Sequence, residues 1–60
     1  MNFNEAYKEM LKGKTAIFDA HELVIVKGRL YKRSAYSKSW FEVKTIPVES
    51  IVSDYWDIEK

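Results

Sequence analysis

The segment of residues 27–40, KGRLYKRSAYSKSW, combines five lysine or arginine side chains with three aromatic rings and contains no acidic residue. Guanidinium forks match the geometry of carboxylate and phosphate oxygens, and flat aromatic rings stack on bases. This mixture predicts a surface that binds a phosphate-bearing ligand or a protein partner. The residues predicted to make the contacts are Arg29, Tyr31, Arg33, Tyr36, Lys38 and Trp40.

A structural explanation of the same segment competes with this one. Cations on an edge hairpin prevent it from pairing with other chains, and Arg29, Lys32 and Arg33 suit that purpose. Tyr31 and Trp40 would then pack against a second copy of the chain, because aromatic residues are enriched at protein interfaces. The two explanations differ in whether the positive charges are needed for function.

The remaining polar residues do not have a pattern typical of catalysis or metal binding. His21, with Asp19 and Glu22 nearby in sequence, is interpreted as a structural histidine, because an active site needs several convergent groups. The two glycines are far apart, so a Gly-rich phosphate loop is excluded. We therefore expect a binding protein and not an enzyme, without cofactor or metal. Solvated charges without calcium-loop spacing are predicted for Asp54, Asp57 and Glu59.

Length and composition indicate one small domain that gains stability by self-association. Sixty residues without cysteine allow a single compact domain, residues 1–60, with a small core and no disulfide. We therefore expect a homodimer or a larger homo-oligomer. The net charge of +1 makes the basic segment a local feature. No stretch approaches the roughly 20 apolar residues of a membrane span, and the lack of cysteine suits an intracellular protein.

Local patterns predict an N-terminal helix followed by a β-hairpin. Asn2 and Glu5 have the spacing of a capping box, an apolar helical repeat follows, and Gly13 can end the helix, which we place at residues 3–12. The dipeptide Lys27-Gly28 predicts a two-residue turn between two strands. The period of two then predicts two faces. The core face has Leu23, Ile25 and Leu30, and the opposite face has Val24, Val26, Arg29, Tyr31 and Arg33.

The rest of the chain predicts short strands and one helical turn. TAIFDA is rich in strand formers, and WFEVKT alternates so that Phe41 and Val43 should face the core. PVESIVS fits a helical turn that follows a ladder-breaking proline, and DYWDIE should form a last strand that buries Trp56 and Ile58. The anchors of the helical turn are predicted to be Val48, Ile51 and Val52. The fold class is α+β, with one N-terminal helix packed on a small antiparallel sheet of about five short strands.

Both ends of the chain resemble small phage proteins of the Thoeris anti-defence two family. The opening MNFNEAYKEMLKGK is similar to that family's capped helix running into Gly-Lys and a strand. The ending SDYWDIEK is similar to its closing Asp-x-Trp-[Glu/Asp]-Ile pattern, here Asp54, Trp56, Asp57 and Ile58. Family members are homo-oligomers that sequester a cyclic ADP-ribose-type signal made by a bacterial defence system. The resemblance therefore implies an anti-defence role by binding without turnover.

These observations lead to one main hypothesis and one alternative. The main hypothesis is a phage-encoded anti-defence protein in the cytoplasm of the infected bacterial host. It would inhibit an immune system by stoichiometric binding of a cyclic-nucleotide-like signal or of a defence enzyme. The alternative is a small nucleic-acid-binding accessory protein that uses the basic hairpin, for which strong salt dependence of binding is expected.

Overall fold

The computed structural model describes residues 1–34 and 36–59 and contains one main helix on a five-stranded antiparallel sheet. The predicted α+β class is confirmed. No helix within these residues is both long and apolar enough to cross a membrane. In chain order the elements are α1 (Phe3–Leu11), β1 (Ala16–Phe18), β2 (His21–Val26), β3 (Arg29–Ser34), β4 (Phe41–Glu42), α2 (Val48–Val52) and β5 (Asp57–Ile58).

Helix α1 begins and ends at the signals that its sequence contains. The Glu5 backbone N–H donates to Asn2 Oδ1 at 2.9 Å, and the Asn2 N–H donates to Glu5 Oε1 at 3.0 Å, which completes the capping box. Gly13 adopts φ +93°, and its N–H donates to the Met10 carbonyl at 2.9 Å. The left-handed glycine therefore ends the helix as predicted, one residue earlier than the predicted boundary at residue 12.

The sheet has the strand order β4-β3-β2-β1-β5, so the first four strands form a meander and β5 returns to pair with β1. The predicted hairpin register is confirmed, with Val26 opposite Arg29, and both Lys27 and Gly28 have positive φ, as a type I′ turn requires. The β1–β2 turn also has positive φ, at Asp19 (49°) and Ala20 (63°). Ala20 lacks the conformational freedom of glycine, so this turn is strained.

The core lies between α1 and one face of the sheet. Trp56 is its largest side chain, and it contacts Phe3 edge-on at 5.1 Å and stacks on Phe18 at 4.6 Å between ring centroids. Its indole Nε1 donates to the Ser50 carbonyl at 2.7 Å. The predicted core face of the hairpin is confirmed, because Leu23 is buried and Ile25 and Leu30 pack against the core. The buried residues are Ala6, Met10, Ala16, Leu23 and Trp56.

The predicted anchors of α2 are wrong. Val48 and Val52 are 69% and 72% exposed, and Ile51 is 44% exposed. These three residues share one helical face because they are spaced three and four apart. The helix instead turns Ser50 toward the core, where its carbonyl accepts the hydrogen bond from Trp56. An apolar helical face therefore points to solvent.

The predicted burial of Phe41 is also wrong, since its side chain is 61% exposed. Phe41 lies directly opposite Lys32, on the core-facing side of β4, so it is on the predicted face of the strand. Helix α1 does not reach Phe41, because it packs on β1, β2 and β5, whereas β4 is the strand at the far edge of the sheet. Val43 is half-buried, and its N–H extends the pairing by donating to the Leu30 carbonyl at 2.8 Å.

Glu9 on α1 is held between two lysines, and this predicts a pH dependence. Lys12 and Lys14 donate hydrogen bonds to its carboxylate at 2.9 and 2.7 Å and lower the Glu9 pKa from 4.5 to about 2. When a carboxyl group has a lower pKa in the folded protein than in the unfolded chain, it stabilises the folded state at any pH above the unfolded-state pKa. This stabilisation is lost as the pH falls toward the folded-state pKa. We expect an NMR titration of the Glu9 carboxyl to have its midpoint at about 2.

Other carboxyl groups titrate in the same pH range, so a matched variant is needed to isolate Glu9. Lys12→Gln with Lys14→Gln should return the Glu9 midpoint toward 4.5 and remove its share of the stability lost between pH 4.5 and about 2. A midpoint near 4.5 in the unsubstituted protein would show that the two lysines do not hold the carboxylate in solution.

Candidate functional site

The face of the sheet that points away from α1 carries four of the predicted binding residues. Alternation along β3 puts Arg29, Tyr31 and Arg33 on the side opposite to Leu30. The hairpin is interior to the sheet, because β3 lies between β2 and β4. In the described part of the chain, strand β4 pairs with β3 only at Tyr31 and Lys32, so the explanation that Arg29 and Arg33 protect an exposed edge stays a prediction. We call this side the outer face, and it comprises Ile17, Glu22, Val24, Val26, Arg29, Tyr31, Arg33, Trp40 and Glu42.

Arg33 and Trp40 form the centre of the outer face. Glu22 and Arg33 are directly opposite in the β2–β3 register, and Arg33 donates from Nη2 at 2.6 Å and from Nε at 3.2 Å to Glu22 Oε1. The Arg33 guanidinium also lies over the Trp40 ring, with Cζ 4.6 Å from the ring centroid. The carboxylate and the ring therefore fix the guanidinium plane from two directions.

This geometry limits what Arg33 can bind. Its positive charge is matched by Glu22, whose side chain is 20% exposed while that of Arg33 is 31% exposed. A phosphate group would compete with a carboxylate already bonded at 2.6 Å. By contrast, the guanidinium lies over the indole ring, and Trp40 remains 39% exposed. The arrangement suits contact with planar or apolar groups better than capture of a lone phosphate.

Tyr31 is the second aromatic residue of the outer face. It lies opposite Val24 on β2 and opposite Glu42 on β4, and it is half-buried. Val24 and Ile17 are also half-buried although α1 is on the other side of the sheet. Tyr31 therefore joins Arg33 and Trp40 in a mixed apolar and charged surface.

The other predicted contact residues are not brought together with this centre. Arg29 lies four residues from Arg33 along β3, a separation of about 13 Å at strand rise. Tyr36 and Lys38 follow the opposite end of β3, and Tyr36 is 96% exposed. Its N–H donates to Ser34 Oγ at 3.4 Å. A protein surface can span this separation more readily than one small ligand can.

The interpretation of His21 and of the acidic residues remains structural. His21 is half-buried, and its Nδ1 lies 2.9 Å from the Asp19 carbonyl oxygen, which can only accept a hydrogen bond. Asp57 Oδ1 accepts from the Ile58 N–H at 2.8 Å, in an exposed position. Within the residues that the structure describes, no group of three histidine, cysteine or acidic side chains is placed to hold a metal ion.

A cleft of about 200 Å³ lies on the other face of the sheet, where α1 does not reach. Phe18, Leu23 and Trp56 contribute apolar walls, and His21 and Lys32 contribute polar groups. Sequence reasoning did not identify this site. The sequence does contain a signal for it. The period of two puts Lys32 on the same side of β3 as Leu30, and a lysine on the core-facing side of a strand is unusual.

No match is found for the chain among protein-family models, curated proteins or solved structures. The outer face and the cleft are therefore interpreted from their own geometry.

Proposed function

We propose that this protein is a phage-encoded anti-defence protein that inhibits a bacterial immune system by stoichiometric binding in the cytoplasm of the infected host. The resemblance of residues 1–14 and 53–60 to an anti-defence family supports the biological role. The observation that carries the binding role is the Arg33 guanidinium stacked on the partly exposed Trp40 ring. Arginine and tryptophan are among the residues that dominate binding energy at protein interfaces.

A defence enzyme fits the outer face better than a cyclic-nucleotide-like signal does. Small-ligand sites are concave and enclose most of the ligand, whereas the outer face is one side of an open sheet. The Glu22 carboxylate also offsets the charge that a phosphate would seek on Arg33. An interface between proteins uses such fixed aromatic and guanidinium groups and spans the separation between Arg29 and Trp40. We therefore infer a protein target.

Co-expression with a panel of bacterial defence systems under phage challenge tests this function. We expect loss of protection in one system and unchanged protection in the others, because a specific interface discriminates between partners. The affected system identifies the target class. Undiminished protection in every system, with the protein expressed and folded, would contradict the anti-defence role.

Self-association is the second part of the proposal. A single chain has five buried apolar residues among those described, and the outward face of α2 leaves three apolar residues in water. Apolar patches of this kind commonly mark interfaces. We expect sedimentation at micromolar concentration to give the mass of a homodimer or of a larger homo-oligomer, with α2 in the contact between copies.

A pair of matched variants tests where the copies meet. Val48→Lys with Val52→Lys places two charges on the exposed apolar face of α2 and should shift the species toward monomer. Glu49→Lys changes the charge of the same helix without altering that apolar face, and it should leave the mass unchanged. A monomer for the unsubstituted protein across micromolar concentrations would reject self-association.

A further inference from the structure

The cleft on the core-facing side of the sheet has no role in the proposed function. It lies where β2 and β3 extend beyond the reach of α1, and the segment from Val43 to Pro47 borders it. Phe41, on the same side of the sheet, is 61% exposed. The cleft lies on a different face of the sheet from Arg33 and Trp40, so its occupant is independent of the outer face.

The volume of the cleft restricts its ligand to a small molecule. Drug-sized ligands occupy pockets of roughly 300–1,000 Å³, and the cleft has about 200 Å³. An apolar cavity of about 150 Å³ is large enough to bind benzene. The cleft therefore has room for one six-membered ring with a small substituent, and a dinucleotide-sized molecule is too large for it.

The walls of the cleft favour a flat apolar ring. Phe18 and Trp56 stack with an interplanar angle of 23° and, with Leu23, form an apolar surface. The polar atom of Trp56 is already satisfied, because Nε1 donates to the Ser50 carbonyl at 2.7 Å. Trp56 and Leu23 are 3% and 7% exposed, so they form the floor of the cleft, and a ring would gain most of its apolar contact from the half-buried Phe18, with the indole N–H already paired.

Lys32 gives the cleft a charge preference. It lies directly across from Leu23 on the core-facing side of β3, and it borders the cleft. Within residues 1–34 and 36–59 the ion pairs involve Glu9 and Glu22, and none includes Lys32. Asp19 also borders the cleft but lies in the β1–β2 turn, beyond His21 and farther along the sheet from Lys32. An anionic group is therefore favoured at the Lys32 end.

We propose that the cleft binds a monocyclic aromatic carboxylate, with its ring against Phe18, Leu23 and Trp56 and its carboxylate at Lys32 Nζ. The ring supplies apolar contact, and the lysine ammonium supplies a charge-assisted hydrogen bond.

Titration with benzoate, followed by two-dimensional amide and indole NMR, tests the proposal. We expect saturable shifts at Trp56 Nε1–H and at the amides of His21, Leu23 and Lys32. Benzyl alcohol has a similar shape without the charge and should bind about tenfold more weakly, because hydrogen bonds to charged groups contribute more than neutral ones.

Two lysine variants separate the site from general attraction of anions. Lys32→Gln should weaken benzoate about tenfold, to the level of benzyl alcohol, while leaving benzyl alcohol binding unchanged. Lys38→Gln removes an exposed loop lysine of the same charge and should change neither ligand. The amide spectrum of each variant verifies that it is folded.

Three results would overturn the proposal. The first is the absence of saturable shifts in the folded protein. The second is equal affinity for benzoate and benzyl alcohol, and the third is unchanged benzoate affinity in folded Lys32→Gln. Trp40→Ala should leave benzoate binding intact, so failure of the cleft proposal and failure of the anti-defence proposal are distinguishable.

Discussion

Trp56→Ala is expected to unfold the protein or to lower its free energy of unfolding by about 3–5 kcal/mol. The side chain is 3% exposed and contacts both Phe3 on α1 and Phe18 on β1, so its loss separates the helix from the sheet. The total stability of a chain this short is of the order of 3–9 kcal/mol. One truncation therefore removes at least about a third of it, and all of it at the lower end of the range. Thermal and urea unfolding followed by circular dichroism measure the change.

Neighbouring substitutions provide the controls for this prediction. Tyr55→Ala removes an aromatic ring that is 88% exposed and should change stability little. His21→Ala is likewise expected to leave the protein folded. Trp56→Phe keeps a ring in the core but loses the hydrogen bond to Ser50, so its stability should be intermediate. Equal melting temperatures for Trp56→Ala and the unsubstituted protein would mean that Trp56 is not in the core.

Removal of the outer-face anchors is expected to abolish inhibition of immunity without unfolding the protein. Trp40→Ala deletes the exposed ring on which Arg33 stacks, and truncation of such an anchor costs about 2 kcal/mol or more, which is roughly a thirtyfold loss of affinity. Trp40 is 39% exposed and lies outside the buried core. The variant should therefore keep its melting temperature and its oligomeric state.

The charges of the outer face are tested by Arg29→Ala with Arg33→Ala. This double variant should also lose inhibition, although it leaves the Glu22 carboxylate without its guanidinium, so Trp40→Ala is the cleaner test. Tyr36→Ala is the aromatic control, because Tyr36 lies in the loop away from the stacked pair and is 96% exposed. Should the double variant stay folded, keep its oligomeric state and inhibit immunity as well as the unsubstituted protein, the basic segment has no functional role.

The parts of the fold that were predictable depend on local signals. The capping box, Gly13 and the Lys27-Gly28 turn act over a few residues, and each is visible in sequence. The β1–β2 turn was missed because it contains no glycine, and Ala20 is held at positive φ by the pairing of the strands on either side. Non-local pairing therefore decided the conformation where local preference was absent.

The burial of individual side chains was predicted less well than the face of the strand on which each side chain lies. Phe41 is on the expected face of its strand but is exposed, because α1 lies over β1, β2 and β5. The position of a helix on a sheet depends on tertiary packing and is not visible in the local sequence. Val48 and Val52 have helical spacing, but the spacing does not determine which face of α2 turns inward. The hydrogen bond from Trp56 Nε1 to the Ser50 carbonyl attaches α2 to the core through its backbone, a contact that the apolar spacing does not predict.

Most residues of the candidate site were predicted from the sequence, but the ion pair within it was not. Arg29, Tyr31, Arg33 and Trp40 lie on one face as alternation predicted. The ion pair between Glu22 and Arg33 follows from the same register, which extends from Val26 and Arg29 along the hairpin. That pair changes the preferred target, because a guanidinium bonded to a carboxylate is a poorer phosphate ligand. Tyr36 and Lys38 share only sequence proximity with the stacked pair.

Titration of the immune target identified by phage challenge tests the central claim most directly. Increasing amounts of the protein are added to a fixed concentration of that defence enzyme, well above the dissociation constant, and residual activity is measured. We predict a linear loss of activity that ends at a fixed molar ratio, with recovery of intact, active enzyme after the inhibitor is removed. Complete loss of activity at amounts of the protein far below those of the enzyme, or an enzyme that stays chemically altered after the inhibitor is removed, would contradict inhibition by stoichiometric binding.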